Sequence, residues 1–150
     1  MTFEYLESGL FESLTAENHE RTSPPDPKYN CIAWAAGFND SFWWPYSYEL
    51  APYFWPLGPQ DDDSIDKFIE CFRYLGFEVC EDSSFVEGYI KVAIYIGEDG
   101  YPTHMARQIH GERSWTSKLG EYEDIAHSEL SAMECKLYGK VGCILQKCVA

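Results

Sequence analysis

One cysteine and one histidine occupy positions where they could act as a nucleophile and its base. Cys31 follows Asn30, a residue type that commonly caps helices, so we expect Cys31 in the first turn of a helix. Unpaired N–H groups and the helix dipole stabilise a thiolate there. His104 begins a strand just after a turn, where an imidazole could accept the thiol proton. Taken alone, each is more typical of a buried structural thiol or a hydrogen-bonded strand histidine, but the pair in this order indicates Cys/His chemistry.

The strand that carries His104 also places other polar side chains on the same face. Successive side chains of a strand point to opposite faces, so His104, Ala106, Gln108 and His110 are expected on one face. Such a row suits the lining of a pocket, and an exposed sheet face is the equally simple alternative. Gln108 is therefore a candidate substrate contact.

Residues 42–59 combine many aromatic side chains with four prolines. The prolines exclude a regular helix or a central strand. The segment is either a long loop folded onto the domain by its aromatic rings or the wall of a ligand groove, because such rings bury large area at little entropic cost. We take Trp43 and Trp44 as candidate substrate contacts, together with Asn30 and Trp34.

Short helices followed by antiparallel strands are expected to position these side chains. Apolar spacing predicts a helix from Ile65 to Leu75, ended by Gly76, and a weaker helical pattern lies at residues 3–14. A hairpin is predicted over residues 89–110. Further strands are expected at residues 77–80, 114–119 and 140–149, and a helix or irregular segment at residues 123–134. This order indicates an α+β fold, as a single domain over residues 1–150.

The composition restricts the partners of this domain. Twenty-five acidic and eleven basic side chains give a formal charge of −14 over 150 residues. Nucleic-acid binding requires a clustered basic surface, and docking on anionic membranes requires the same, so we predict neither. Hydrophobic residues make up 45% of the chain, which excludes a disordered protein. No secretory signal or membrane span is apparent, so a cytoplasmic location is expected.

Neither a metal nor a cofactor is predicted. The six cysteines form no CxxC pair, and we expect them to be reduced. His104, His127 and an acidic residue could together supply three metal ligands, but no HExxH spacing is present. The glycines form no phosphate-binding loop.

Four motifs resemble a largely uncharacterised, mostly bacterial domain family over roughly residues 28–145. They are Y-N-C-I-A-W-A at 29–35, W-W-P at 43–45, T-H-M-A-R-Q at 103–108 and W-T-S-K-L-G at 115–120. That family is similar to compact papain-like Cys/His hydrolases such as the NlpC/P60 and CHAP amidases. The resemblance implies a papain-like arrangement, with short N-terminal helices packed on an antiparallel sheet. It also implies Cys31 as the nucleophile and His104 as the general base.

Papain-like enzymes use a third polar residue to orient the histidine. The candidates here are Ser117, Glu121 and Asp124, and we favour Asp124 because a carboxylate holds an imidazolium best. No glutamine precedes Cys31 to complete an oxyanion hole, so backbone amides of the helix start or the Asn30 amide would replace it.

Two functions follow from these observations. The first is a cysteine hydrolase that cleaves an amide, isopeptide or peptide bond in a peptide or protein substrate, and the negative charge favours basic substrates. The alternative is a non-catalytic acidic binding protein, of inhibitor or immunity type, that captures a basic protein partner by electrostatic attraction.

Overall fold

One antiparallel sheet with two helices on one of its faces forms the core of the chain. The computed structural model describes residues 11–46, 53–119 and 123–149. The strands are His19–Arg21 (β1), Glu78–Cys80 (β2), Tyr89–Ile96 (β3), Pro102–Gln108 (β4), Trp115–Lys118 (β5), Asp124–His127 (β6) and Lys140–Cys148 (β7). The helices are Cys31–Ala36 (α1) and Ile65–Tyr74 (α2), and Leu130–Met133 forms a short 3-10 helix. Among the described residues, no helix has the length and apolar character to cross a bilayer.

The strand order is β1-β6-β5-β4-β3-β7-β2, and every neighbouring pair is antiparallel. The predicted hairpin is confirmed as β3 and β4, in which Tyr95 pairs with His104. The strand β7 lies between β3 and β2, so it is hydrogen-bonded to a neighbouring strand on both sides.

The predicted papain-like α+β arrangement is wrong. The structure is nearly all-β, with helices of only six and ten residues against seven strands in the described part of the chain. Residues 123–134 form β6 and the 3-10 helix, because pairing with β5 and β1 satisfies the backbone of Asp124–His127. His19–Arg21, for which no strand was predicted, is an edge strand. The helical pattern at residues 3–14 lies mostly outside the described residues, and Phe11 to Leu14 form a turn.

The residue types at its two ends explain where α1 begins and where it ends. The Asn30 side chain accepts the backbone N–H of Ala33 at 3.2 Å and so caps the helix. Gly37 adopts φ +96°, and its N–H donates to the helix carbonyls. This left-handed conformation favours glycine and ends the helix after six residues.

Both faces of the sheet are buried. On the helix face, α1 and α2 pack against a cluster to which the sheet contributes Val92, Ile94, Met105 and Leu145. On the opposite face, a second cluster contains the neighbouring strand residues and the 3-10 helix; its members include Ala93, Tyr95, Ala106, Trp115, Ile125 and Met133. A residue of β4 or β5 therefore belongs to one of two separate environments, according to its position in the alternation.

Candidate functional site

Asn30 joins α1 to the aromatic segment. Its Oδ1 accepts the backbone N–H of Trp43 at 3.0 Å, and its Nδ2 donates to the Trp43 carbonyl at 2.8 Å. Together with the cap on Ala33, these bonds use both ends of the amide. Asn30 is buried. The side chain proposed for an oxyanion hole is therefore engaged in holding Trp43.

Cys31 is the first residue of α1, as expected, but its thiol is buried in the helix-face cluster. Burial raises the pKa of the thiol to about 11, and this effect outweighs the backbone hydrogen bonding at Met105 and the positive charge of Lys118, which both lower it. At neutral pH, roughly one thiol in ten thousand is therefore ionised. Because the thiolate is the reactive form, Cys31 is a weak nucleophile in this conformation.

His104 lies on the other face of the sheet. Its ring stacks on that of Tyr138 and contacts that of Tyr95, with centroid distances of 4.1 and 5.2 Å. The next residue of β4, Met105, points to the cluster that contains Cys31. The backbone of β4 thus separates the thiol from the imidazole, and the structure does not bring Cys31 and His104 together as a nucleophile and its base.

A chain of hydrogen bonds links His104 to His127 through Ser117. Nδ1 of His127 lies 2.9 Å from the carbonyl oxygen of Glu129, which only accepts, so Nδ1 carries the proton. Nε2 of His127 then accepts the Ser117 hydroxyl at 2.8 Å. The Ser117 oxygen in turn accepts Nε2–H of His104 at 2.9 Å. In this chain of hydrogen bonds each of the three side chains donates one proton, and every donor meets an acceptor.

Both histidines of the row are neutral near pH 7. Burial lowers the pKa of His127 to about 4. Burial also holds the pKa of His104 well below its usual range, and repulsion from His127 adds to the effect. Nδ1 of His104 is buried and has no hydrogen-bond partner in the described part of the chain.

Asp124 contacts the segment before α1 instead of a histidine. Tyr29 donates its hydroxyl to Oδ2 of Asp124 at 2.6 Å, and the backbone N–H of Asp124 donates to Ser23 at 3.1 Å. Burial raises the pKa of the Asp124 carboxyl, although the side chains of Tyr29 and Ser23 and the charge of Lys118 oppose the shift. Of the other candidate third residues, Ser117 is hydrogen-bonded to His104 and Glu121 lies outside the described residues.

Gln108 is buried, and Trp34 is half-buried. Gln108 is buried on the face of β4 that carries His104, and neither end of its amide has a partner among the described residues. Trp34 donates its indole N–H to the Thr116 hydroxyl at 2.9 Å, which fixes α1 on β5. Neither residue is among the described residues that line the cavity around Trp43.

Trp43 lies in an open cavity of about 400 Å³, called here the aromatic groove. Its lining residues are Phe38, Asp40, Ser41, Trp43, Phe54, Pro56 and Leu75. Trp43 is buried, whereas Phe38 and Phe54 are 46% and 51% exposed. The ring of Phe38 stacks on Trp43 with centroids 5.2 Å apart, and the ring of Phe54 contacts Trp43 at 5.3 Å.

Local backbone pairing builds this groove. The N–H of Trp44 donates to the Phe54 carbonyl and the N–H of Phe54 donates to the Phe42 carbonyl, which places Phe54 beside Trp43. The side chain of Trp44 points elsewhere: it donates to Asp63 at 3.2 Å and meets the ring of Phe68 edge-on. Trp44 therefore packs on α2 and does not line the groove.

Several residues of the aromatic groove and of the hydrogen-bond chain between the two histidines were not predicted from the sequence. Phe38 and Asp40 line the groove but were not among the candidate residues; they directly follow Gly37, the glycine that ends α1. A signal was available, since a C-cap directs the next residues away from the helix. His127 was considered only as a metal ligand, although the alternation of Asp124–His127 places it on one face with Ile125. Within the described ranges, no cluster of His, Cys, Asp and Glu side chains is suited to hold a metal ion, and the six cysteines are free thiols.

Fold and site together define a strongly acidic, nearly all-β domain with an open aromatic groove. The chain belongs to the family described as Domain of unknown function (DUF7689), whose model matches residues 20–146. No curated protein and no solved structure matches the chain significantly. The predicted membership of an uncharacterised domain family is thereby confirmed, and this match carries no information on the resemblance to papain-like hydrolases.

Proposed function

We propose that this domain is a non-catalytic binding protein that captures a basic protein partner. The observation that carries the proposal is the separation of Cys31 and His104 by β4. A cysteine hydrolase needs an ionised thiol and a base within hydrogen-bond reach of it. The Cys31 thiol has a pKa of about 11, and the imidazole of His104 is held by Ser117 on the other face.

The net charge supports a basic partner. Even if every basic side chain paired with one acidic side chain, fourteen carboxylates would have no basic counterpart, as the formal charge of −14 requires. Such a surface attracts cations over about 8 Å at physiological salt and accelerates the encounter with a positively charged protein. It repels nucleic acids and anionic membranes for the same reason.

A short lysine-rich peptide is a suitable probe, with the same peptide carrying acetylated lysines as the uncharged control. Calorimetric titration should give saturable binding of the charged peptide in a one-to-one complex, and affinity should fall as salt rises from about 0.05 to 0.5 M. The acetylated peptide should not bind. Because the proposal assigns no chemical step to Cys31, Cys31→Ala should bind the charged peptide as the wild type does.

A hydrolase would give a different result. If the wild type cleaved a fluorogenic peptide or isopeptide substrate and Cys31→Ala lost that cleavage while remaining folded by circular dichroism, the non-catalytic proposal would be overturned. Absence of saturable binding of the charged peptide at low salt would overturn it as well.

A further inference from the structure

We infer that the aromatic groove receives one lysine or arginine side chain of the partner; this inference rests on the proposed function. Phe38 and Phe54 expose about half of their surfaces beside the buried ring of Trp43. Large aromatic rings that share an open cavity mark a contact site more specifically than isolated exposed hydrophobic residues do.

The lining of the groove matches the two parts of a basic side chain. Phe38, Phe54, Pro56 and Leu75 present apolar surface along which a methylene stem can lie. Aromatic faces also attract a cation directly, through the negative charge above the ring. A cavity of about 400 Å³ has room for one long side chain and its backbone.

The charged end has its own counterpart in Asp40. Asp40 is exposed and lines the groove, and Ser41 donates its hydroxyl to Oδ1 of Asp40 at 3.4 Å. The Ser41 oxygen also accepts the indole N–H of Trp43 at 2.9 Å, so the carboxylate is connected to the aromatic wall. Among the described residues that line the groove, none is basic, so an incoming cation meets no like charge there.

Charge selects this occupant over the alternatives. An acidic side chain would be repelled by Asp40 and by the net charge of −14. A neutral apolar side chain would fill the cavity but gain nothing from the carboxylate. A second copy of the chain would bring another charge of −14 against the first, which opposes self-association through this surface.

Two peptides of equal charge and different stem length test the inference. One carries lysines, and in the other each lysine is replaced by diaminobutyric acid, whose ammonium group sits on two methylenes; the comparison is made at about pH 6, where both ammonium groups are charged. Long-range attraction treats the two almost equally, whereas the groove can bury only the longer stem. We expect the wild type to bind the lysine peptide about five-fold more tightly. An arginine peptide should bind at least as well, because the guanidinium also stacks on aromatic rings.

Variants of the groove should remove this preference and leave the general attraction. Phe38→Ala and Phe54→Ala should bind both peptides with nearly equal affinity. The matched control is Tyr101→Ala, because Tyr101 is 46% exposed like Phe38 but does not line the groove. Asp40→Asn should weaken binding of the lysine peptide more than Glu112→Gln, which removes one exposed charge outside the groove.

The outcomes separate this inference from the proposed function. If both peptides bind equally well to the wild type, or if Phe38→Ala keeps the preference, the groove assignment is wrong while capture by charge stands. If neither peptide binds saturably, the proposed function fails and the groove assignment fails with it. If light scattering shows a wild-type dimer that Phe38→Ala dissociates, the occupant is a second copy of the chain and the inference is overturned.

Discussion

The imidazole of His104 lies flat on the phenol ring of Tyr138, with ring centroids 4.1 Å apart and planes inclined by 7°. This stacking, together with the hydrogen bond to Ser117, holds His104 inside the cluster opposite the helices. Cys31 belongs to the other cluster. A histidine fixed in this way is part of the core of the domain, and its polar atoms determine how that core responds to mutation and acid.

Native Cys31 should react slowly with iodoacetamide, because its thiol is buried and has a pKa of about 11. Cys148 is exposed and should be modified first. After brief labelling, peptide mass spectrometry should find modified Cys148 and unmodified Cys31. Cys71 is the matched control, since burial raises the pKa of its thiol to about 12. Labelling of native Cys31 ahead of Cys148 would restore the case for a nucleophile.

Ser117→Ala should destabilise the domain by about 2 kcal/mol. The substitution removes the hydroxyl that accepts from His104 and donates to His127, and among the described residues it leaves two buried ring nitrogens without a partner. Urea denaturation followed by circular dichroism measures the change in the free energy of unfolding. Ser128→Ala, at an exposed position beside His127, should change it by less than about 0.5 kcal/mol. Equal stability of the two variants would show that the row of hydrogen bonds is not maintained in solution.

Acid should weaken the fold between about pH 6.5 and pH 4 through His127. The pKa of this residue falls from 6.5 to about 4 on folding because the ring is buried, so the unfolded chain binds more protons in this range. The stabilisation is fully present above pH 6.5 and is lost as the pH falls towards 4. It amounts to something on the order of 3 kcal/mol. His104 shifts in the same direction, whereas the raised pKa of Asp124 acts in the opposite one.

Two variants isolate the contribution of His127. His127→Gln keeps a neutral polar side chain at all pH values, so its free energy of unfolding should depend less on pH over this range. His110→Gln, at an exposed position, should retain the slope of the wild type. Chemical denaturation at several pH values gives both slopes, and identical slopes for His127→Gln and the wild type would contradict the assignment.

Gly139→Ala should destabilise the domain by about 3 kcal/mol or more. A Cβ atom at this position would lie 1.8 Å from the backbone carbonyl oxygen of Ile96, and the residue has φ +76°. Gly111→Ala is the matched control, because its φ of +77° is nearly identical but no atom lies near the added carbon. The control substitution should lower the free energy of unfolding by only about 1 kcal/mol, because alanine disfavours this backbone conformation. Thermal or urea unfolding measures the difference, and similar values would show that β3 moves away without cost.

Local features of the fold were accessible from the sequence because their causes lie within a few residues. Asn30 and Gly37 delimit α1, and the apolar spacing of Ile65–Tyr74 delimits α2. Alternating residues around a short turn define the β3–β4 hairpin. The edge strand His19–Arg21 was missed because its strand character comes from pairing with β6, more than one hundred residues later in the chain.

The relative placement of the candidate site residues could not be predicted from local sequence patterns. Alternation correctly places His104, Ala106 and Gln108 on one face of β4, and the capping pattern correctly places Cys31 at the start of α1. Which face of β4 the helix covers depends on how strands far apart in the chain pair and on which side α1 packs. Burial of the whole core determines which face the helix covers. Met105 packs against the helix and His104 against Tyr138. The sequence by itself therefore determined the residue types and their local elements, and only the tertiary structure decided that the thiol and the imidazole lie on opposite sides of the sheet.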